Sequence, residues 1–175
     1  MWVLKWPKHL FGLDALLEVY PDARIVWTHR DPAKVVPSSV SFVGALRAMN
    51  SPLFDPKRFG AEWSALEEMG LHRGLSVRDQ VGDDRFLDVH YNDLTADPVG
   101  EVTRIYEHFG IQVDDETVHR VAAFQDENPQ GKHGAHQYSP EQFGFYPEHI
   151  RRRFAAYTER FGIEPDRPRP GKKAA

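Results

Sequence analysis

The sequence has 175 residues and contains no cysteine. This absence excludes a disulfide framework, a thiolate nucleophile and a thiolate metal site. No apolar run is long enough to span a bilayer, and the first residues do not form a signal peptide, so we expect a cytoplasmic protein without a membrane span. The net charge of −4 argues against a general nucleic-acid binder, because such domains are usually strongly basic.

Three signatures of known sites are also missing. The phosphate loop GxxxxGK followed by Ser or Thr, the dinucleotide fingerprint GxGxxG and the zinc motif HExxH do not occur. His133 and His136 form only a weak pair of metal ligands. The sequence therefore predicts neither a metal site nor a standard nucleotide-binding loop.

Apolar strand patterns alternate with helical patterns along the chain. The strand patterns cover Trp2–Leu4, Arg24–His29 and Phe86–Tyr91. The helical patterns cover Leu10–Leu17, Pro32–Met49, Phe59–Val81 with interruptions at Gly70 and Gly74, Val99–Phe109, Asp115–Phe124 and Pro147–Phe161. This alternation predicts an α/β fold with a small, mostly parallel sheet flanked by helices in three layers.

The predicted sheet is small for the number of helices, and the chain opens on a core-strand pattern. We therefore expect the fold to be incomplete at its amino terminus, and an exposed sheet edge would favour a homo-oligomer. One α/β domain is predicted over residues 1–163. The Pro- and Lys-rich end, residues 164–175, is predicted to be a flexible tail.

The most informative stretch lies where the second predicted strand ends. Arg30 closes the strand, Asp31 and Pro32 turn the chain, and Ser38 falls in the first two turns of the next helix. A helix amino terminus favours anions because its first N–H groups are unpaired, and Arg adds a planar fork that fits phosphate. We interpret this stretch as a phosphate clamp for a nucleotide-type ligand. The alternative is an ordinary turn in which Arg30 pairs with a surface carboxylate.

Lys5 and His9 follow the first predicted strand, whose end should lie at the same sheet edge as Arg30. A lysine can neutralise charge that grows on a leaving oxygen. A histidine can take the proton of an attacking hydroxyl. The alternatives are a strand-end lysine with its charge in solvent and a capping or surface histidine.

Two further candidates are an aromatic and a basic residue. Tyr91 follows the third predicted strand, where its ring could stack on a base or pack in the core. Lys132 stands in the glycine-bearing loop Asp126–Ser139, whose backbone amides could approach an anion. A solvated loop is the alternative for Lys132. The run Arg151–Arg153 indicates a solvated helix face, of which one member could reach an anionic ligand.

Taken together, these elements resemble the carboxyl-terminal part of bacterial-type sulfotransferases, which use 3′-phosphoadenylyl sulfate (PAPS). The match runs from about Met1 to Gly162. Its elements are Leu4–His9 for Leu-Lys-x-Pro-x-His, Thr28–Pro32 with Ser38, Tyr91–Leu94 for Tyr-x-Asp-Leu, and the loop Gly131–Gly134 leading into Tyr138–Gly144. The chain departs from the family at Asn92, where Glu is more usual, and at Trp6, where a small residue is more usual. The strand and loop that wrap the 5′-phosphosulfate in the family are not found.

The resemblance implies a P-loop-like fold and in-line transfer of a sulfuryl group from PAPS to a hydroxyl or amine acceptor, without a metal. It implies that Arg30 and Ser38 grip the 3′-phosphate of the nucleotide, that Tyr91 lies by the adenine, and that Lys132 closes over the phosphates.

The resemblance also implies catalytic roles for two residues. His9 would be the base for the acceptor, and Lys5 would stabilise the leaving oxygen. The alternative function is a non-catalytic protein that binds 3′-phosphoadenosine nucleotides or serves as an interaction module. A P-loop-like kinase is less favoured, because the phosphate-loop lysine and a magnesium-binding acidic site are not apparent.

Overall fold

The computed structural model describes residues 2–129, 132 and 138–167. Its strands are β1 (Ile25–His29) and β2 (Phe86–His90). Its α-helices are α1 (Leu13–Val19), α2 (Pro32–Asn50), α3 (Pro56–Val81), α4 (Tyr91–Ala96), α5 (Pro98–His108), α6 (Asp115–Glu127), α7 (Pro147–Arg153) and α8 (Ala155–Arg160). Two short 3₁₀ helices cover Pro7–Phe11 and Pro140–Phe143. The two strands pair in a parallel sheet flanked by helices, which confirms the predicted α/β class.

The first predicted strand is wrong. Residues Trp2–Leu4 carry no regular secondary structure, and Trp2 is 94% exposed. An apolar strand is stable only when a neighbour satisfies its backbone groups and other elements cover its faces. In the described part of the chain, β1 and β2 pair only with each other, so this segment has no such neighbour.

The chain divides into two compact units, and each is described by itself. Of the described residues, the first unit takes 2–25, 36–86 and 140–146. The second takes 26–35, most of 87–139, and 147–167. The single domain expected over residues 1–163 stays a prediction.

Helix α3 is the longest element of the first unit, and it runs without a break. Asp55 caps its start by accepting hydrogen bonds from the backbone N–H groups of Lys57 (3.0 Å) and Arg58 (3.2 Å). The interruptions predicted at Gly70 and Gly74 are wrong. A Cβ atom at Gly70 would lie 2.5 Å from the Phe11 ring, so this glycine allows the first 3₁₀ helix to pack closely against α3.

A second close approach on α3 yields a stability prediction. A Cβ at Gly60 would lie 2.4 Å from the backbone carbonyl oxygen of Phe143, which cannot move as a flexible side chain could. We expect Gly60→Ala to lower the free energy of unfolding by about 1–3 kcal/mol, measured by urea denaturation. Gly12→Ala is the control, because a Cβ there meets no atom within 4 Å. Equal stabilities of the two variants would contradict the prediction.

In the second unit, Asp31 fixes the start of α2. Its Oδ1 accepts a hydrogen bond from the backbone N–H of Ala33 at 2.9 Å, and its Oδ2 accepts one from the Arg151 guanidinium at 3.1 Å. Arg151 therefore reaches a carboxylate of the protein. The single final helix predicted over Pro147–Phe161 is two helices, separated at Phe154, whose ψ of 17° is not helical.

Within the part of the chain that the structure describes, no helix combines the length and the apolar character needed to cross a membrane.

Candidate functional site

A polar cavity of about 170 Å³ lies where β1 and β2 end, within the second unit. Open α/β sheets bind their ligands at this edge. The residues that end the strands and begin α4 form one wall, namely His29, Arg30, His90, Tyr91, Asn92 and Asp93. The segment that follows α8 forms the other wall, and we call its residues Ile163–Arg167 the strap.

A hydrogen-bonded chain centred on a buried histidine supports the cavity from β1. The His29 side chain is fully buried; its Nε2 lies 2.7 Å from Asp88 Oδ1, and its Nδ1 lies 2.8 Å from the Tyr157 hydroxyl. Burial, reinforced by the charge of Asp88, raises the pKa of Tyr157 well above its ordinary value, so the phenol keeps its proton. The Nε2–H of His29 donates to Asp88, and the Tyr157 hydroxyl is hydrogen-bonded to Nδ1. This chain connects β1, β2 and α8 next to Arg30.

Arg30 is the central cation of the cavity. Its guanidinium lies over the Tyr91 ring, 3.8 Å from the ring centre. Its Nε and Nη2 both donate to Asp166 Oδ2, at 2.9 and 2.5 Å. Burial opposes the charge, but the hydrogen bonds and charge of Asp166 outweigh it, so the pKa of Arg30 is raised. The structure thus brings Arg30 and Tyr91 together, and it shows Arg30 paired with a carboxylate.

The strap is held to α4 by one amide side chain. Asn92 Nδ2 donates to the carbonyl oxygen of Pro165 at 3.1 Å, and Asn92 Oδ1 accepts from the backbone N–H of Arg167 at 3.0 Å. The Arg167 side chain pairs with Glu164. Residues 164–167, predicted as the start of a flexible tail, therefore make specific contacts in the described structure.

The other predicted site residues are placed as follows. Lys132 is exposed, and its Nζ donates to the Glu127 carbonyl oxygen at 2.8 Å and to Asn128 Oδ1 at 3.3 Å. Its neighbours Gly131, His133 and Gly134 lie outside the described residues.

Three predicted residues belong to the first unit. Lys5 is exposed, and His9 is half-buried in the first 3₁₀ helix with its ring edge-on to Trp6 at 5.9 Å. Ser38 is half-buried in α2. Their convergence on a ligand with Arg30 stays a prediction.

A polar cluster beside the first 3₁₀ helix is not predicted by the sequence pattern. Glu67 accepts hydrogen bonds from the Ser39 hydroxyl and from Trp63 Nε1, the latter at 3.1 Å, while Lys8 lies 4.2 Å from the Trp63 ring centre. The second oxygen, Oε2, is buried without a hydrogen-bond partner among the described residues. Burial raises the pKa of Glu67, although both hydrogen bonds and the charge of Lys8 oppose the shift. The spacing of Trp63 and Glu67, one helical turn apart, was the available signal.

This cluster makes stability depend on pH. Because the pKa of Glu67 is raised on folding, its contribution is most favourable below the ordinary pKa of 4.5 and declines as pH rises through the folded value. We expect Glu67→Gln to gain stability relative to the parent protein as pH rises from 4 to 8, because the amide carries no charge to desolvate. Urea denaturation at both pH values measures this gain, and a constant difference between the two proteins would contradict it.

The described residues contain no group of three or more His, Asp or Glu side chains arranged to hold a metal ion.

Comparison with known proteins places the chain in a family. The profile of a family described as "Sulfotransferase family" matches residues 1–115. The chain is 29% identical over 175 residues to the omega-hydroxy-beta-dihydromenaquinone-9 sulfotransferase Stf3 of Mycobacterium bovis, covering 97% of this chain and 43% of the relative. The Stf3 protein of Mycobacterium tuberculosis matches to the same extent.

Solved structures agree with the sequence matches. The crystal structure of sulfotransferase STF9 from Mycobacterium avium superimposes with a TM-score of 0.84 at 31% identity, covering 95% of this chain and 43% of that one. STF1 from Mycobacterium tuberculosis gives 0.70 at 35% identity, covering 89% and 39%. The chain thus spans less than half the length of these relatives. The predicted P-loop-like fold is confirmed, and the chain belongs to the sulfotransferase family.

Proposed function

We propose that this protein binds the adenosine 3′,5′-bisphosphate portion of PAPS and serves sulfuryl transfer to a hydroxyl or amine acceptor. The observation that carries the proposal is the placement of Arg30. This cation stands at the carboxyl end of β1, in a cavity that also contains the Tyr91 ring. A guanidinium offers two-point contact to phosphate, and an aromatic ring offers a face for a base.

The chemistry of the side chains fits the nucleotide without a metal. Arg30 keeps its charge, because its pKa is raised. In our proposal Arg30 and Ser38 hold the 3′-phosphate, Tyr91 lies by the adenine, and Lys132 approaches the remaining phosphates. The roles of Arg30 and Tyr91 rest on the resemblance and on their shared cavity, whereas those of Ser38 and Lys132 rest on the resemblance alone.

PAPS supplies the sulfuryl group. We assign His9 the acceptance of the proton from the acceptor, and Lys5 the stabilisation of the oxygen that leaves with the bisphosphate. Catalysis then rests on positioning and on charge stabilisation at the transferring group. A hydroxyl acceptor is favoured over an amine, because the name of the Stf3 relatives specifies an omega-hydroxy compound. A cytoplasmic location and association through a sheet edge are parts of the same proposal.

A protein that binds the nucleotide without transferring sulfuryl groups is the second candidate. The observation that favours it is that the cavity brings together Arg30 and Tyr91, the residues proposed to bind the nucleotide, without depending on His9 or Lys5.

Two measurements on the full chain separate these functions. Isothermal calorimetry with adenosine 3′,5′-bisphosphate detects binding, and release of that bisphosphate from PAPS in the presence of hydroxyl compounds detects transfer. Binding with transfer supports the first candidate, and binding without transfer supports the second. Absence of binding, both in the parent protein and in an Asp166→Asn variant that removes the carboxylate paired with Arg30, would reject both candidates.

A further inference from the structure

We infer that the strap is an autoinhibitory segment: Asp166 occupies the anion-binding fork of Arg30, and a phosphate ligand must displace it. This inference rests on the proposed function of Arg30. It adds a regulatory contact, located in this chain's own carboxyl-terminal residues, that controls access to the nucleotide site.

The geometry shows direct competition. Two donors of Arg30, Nε and Nη2, are both used by one oxygen of Asp166. A carboxylate and a phosphate both bind a guanidinium through a pair of its N–H groups, so a phosphate can use the Nε–Nη2 edge of Arg30 only after Asp166 leaves it. The Asp166 side chain is only 16% exposed, which places the competing carboxylate inside the cavity wall.

The charges that line the cavity point the same way. With the strap in place, the ionised residues of the lining are the cations Arg30 and Arg167 and the carboxylates Asp93, Glu164 and Asp166. Carboxylates outnumber cations, which is unfavourable for a ligand with several negative charges. Without the strap, the lining keeps one arginine, Arg30, and one carboxylate, Asp93, and the local excess of negative charge disappears.

The size of the cavity also indicates that the strap fills ligand space. Its volume of about 170 Å³ is below the roughly 300–1,000 Å³ of typical ligand pockets. Because four strap residues line it, their displacement would enlarge it directly.

The strap begins after a glycine turn and is held by an amide side chain, which we call the latch. Gly162, with φ of +59°, ends α8 in the left-handed conformation that favours glycine, and the backbone N–H of Ile163 closes the helix on the Thr158 carbonyl at 2.9 Å. The latch is Asn92, whose amide both donates to and accepts from the strap backbone. A glutamate at this position could accept from Arg167 but could not donate to Pro165. Asn92, which departs from the family pattern, thus holds the strap through both its amide nitrogen and its amide oxygen.

The test compares two isosteric variants in the same segment. Asp166→Asn removes the charge in the fork, whereas Glu164→Gln removes an equal charge that pairs with Arg167. Calorimetry with adenosine 3′,5′-bisphosphate should show binding tightened about tenfold or more by Asp166→Asn, a typical size for coupling between competing contacts. Glu164→Gln should tighten it by less than about threefold, because the fork stays filled.

Hydrogen exchange at the Arg167 amide supplies a second measurement that needs no nucleotide. Because this amide donates to Asn92, exchange should speed up in Asp166→Asn, and in the parent protein when nucleotide is added.

The possible outcomes separate the two proposals. Tighter binding by Asp166→Asn alone, with faster exchange, supports autoinhibition. Equal affinities of the parent and Asp166→Asn proteins, with binding still lost in Arg30→Ala, overturn the autoinhibitory role and leave the nucleotide site intact. Absence of binding in every variant overturns both.

Discussion

Arg30→Ala is expected to weaken the binding of adenosine 3′,5′-bisphosphate by about 1.5–3 kcal/mol, roughly 10- to 150-fold in Kd. Hydrogen bonds to charged groups have this strength, and alanine removes the charge together with the fork. The effect should be larger in an Asp166→Asn background, because the guanidinium there gives up no carboxylate partner when the ligand binds. Calorimetry on the single and double variants measures both values.

Arg58→Ala is the matched control for this substitution. Arg58 is an exposed arginine on α3 that pairs with Glu62 and does not line the cavity, so its loss changes the net charge equally. Nucleotide affinity should be nearly the same as in the parent protein. If Arg30→Ala and Arg58→Ala bind the bisphosphate alike, Arg30 is not the phosphate clamp.

His29→Ala is expected to lower the free energy of unfolding by about 3–5 kcal/mol, the range for deleting a buried ring that also carries internal hydrogen bonds. The ring stacks on Phe161 with centroids 4.4 Å apart, so alanine leaves a cavity. It also leaves the half-buried Tyr157 hydroxyl without its imidazole partner. Asp88 is partly exposed and can be rehydrated, so it adds little to the cost.

Urea denaturation of His29→Ala and Tyr157→Phe together tests this account. Tyr157→Phe removes one hydroxyl and keeps the ring, and it should cost about 1 kcal/mol. A similar small cost for both variants would show that His29 does not support the structure beneath the cavity.

The strands illustrate what local pattern can and cannot predict. β1 and β2 lie within a residue of their predicted bounds, because an apolar run between turn residues is a local property. Trp2–Leu4 has an equally apolar pattern and is not a strand. Strand formation also needs a neighbouring strand to pair with, and a local pattern carries no information about that neighbour. The break predicted at Gly70 is wrong for a related reason. Glycine disfavours a helix intrinsically, but the close contact with Phe11 requires a residue without a side chain at this position of the helix.

The part of the site that lies at the carboxyl ends of the strands was predictable from the sequence. Arg30 and Tyr91 were each placed at a strand end, and parallel strands bring their carboxyl ends to one edge, so the two meet. Pairing of Arg30 with a carboxylate was foreseen as the alternative to a phosphate clamp. Its partner was not foreseen, because Asp166 lies 136 residues away in a segment without periodicity. Glu67 was missed because its spacing from Trp63, one helical turn away, does not by itself show that the carboxylate will be buried.

The double use of Asp31 affects how motif matches should be interpreted. One of its oxygens caps α2 and the other binds Arg151, while Pro32 opens the helix, so neither residue is needed at the ligand to explain its presence. Folding alone would keep an Asp-Pro pair at this position in a chain that had lost every ability to hold an anion. The Asp-Pro part of the motif therefore identifies a helix start and is not evidence of anion binding, which has to be tested at Arg30 itself.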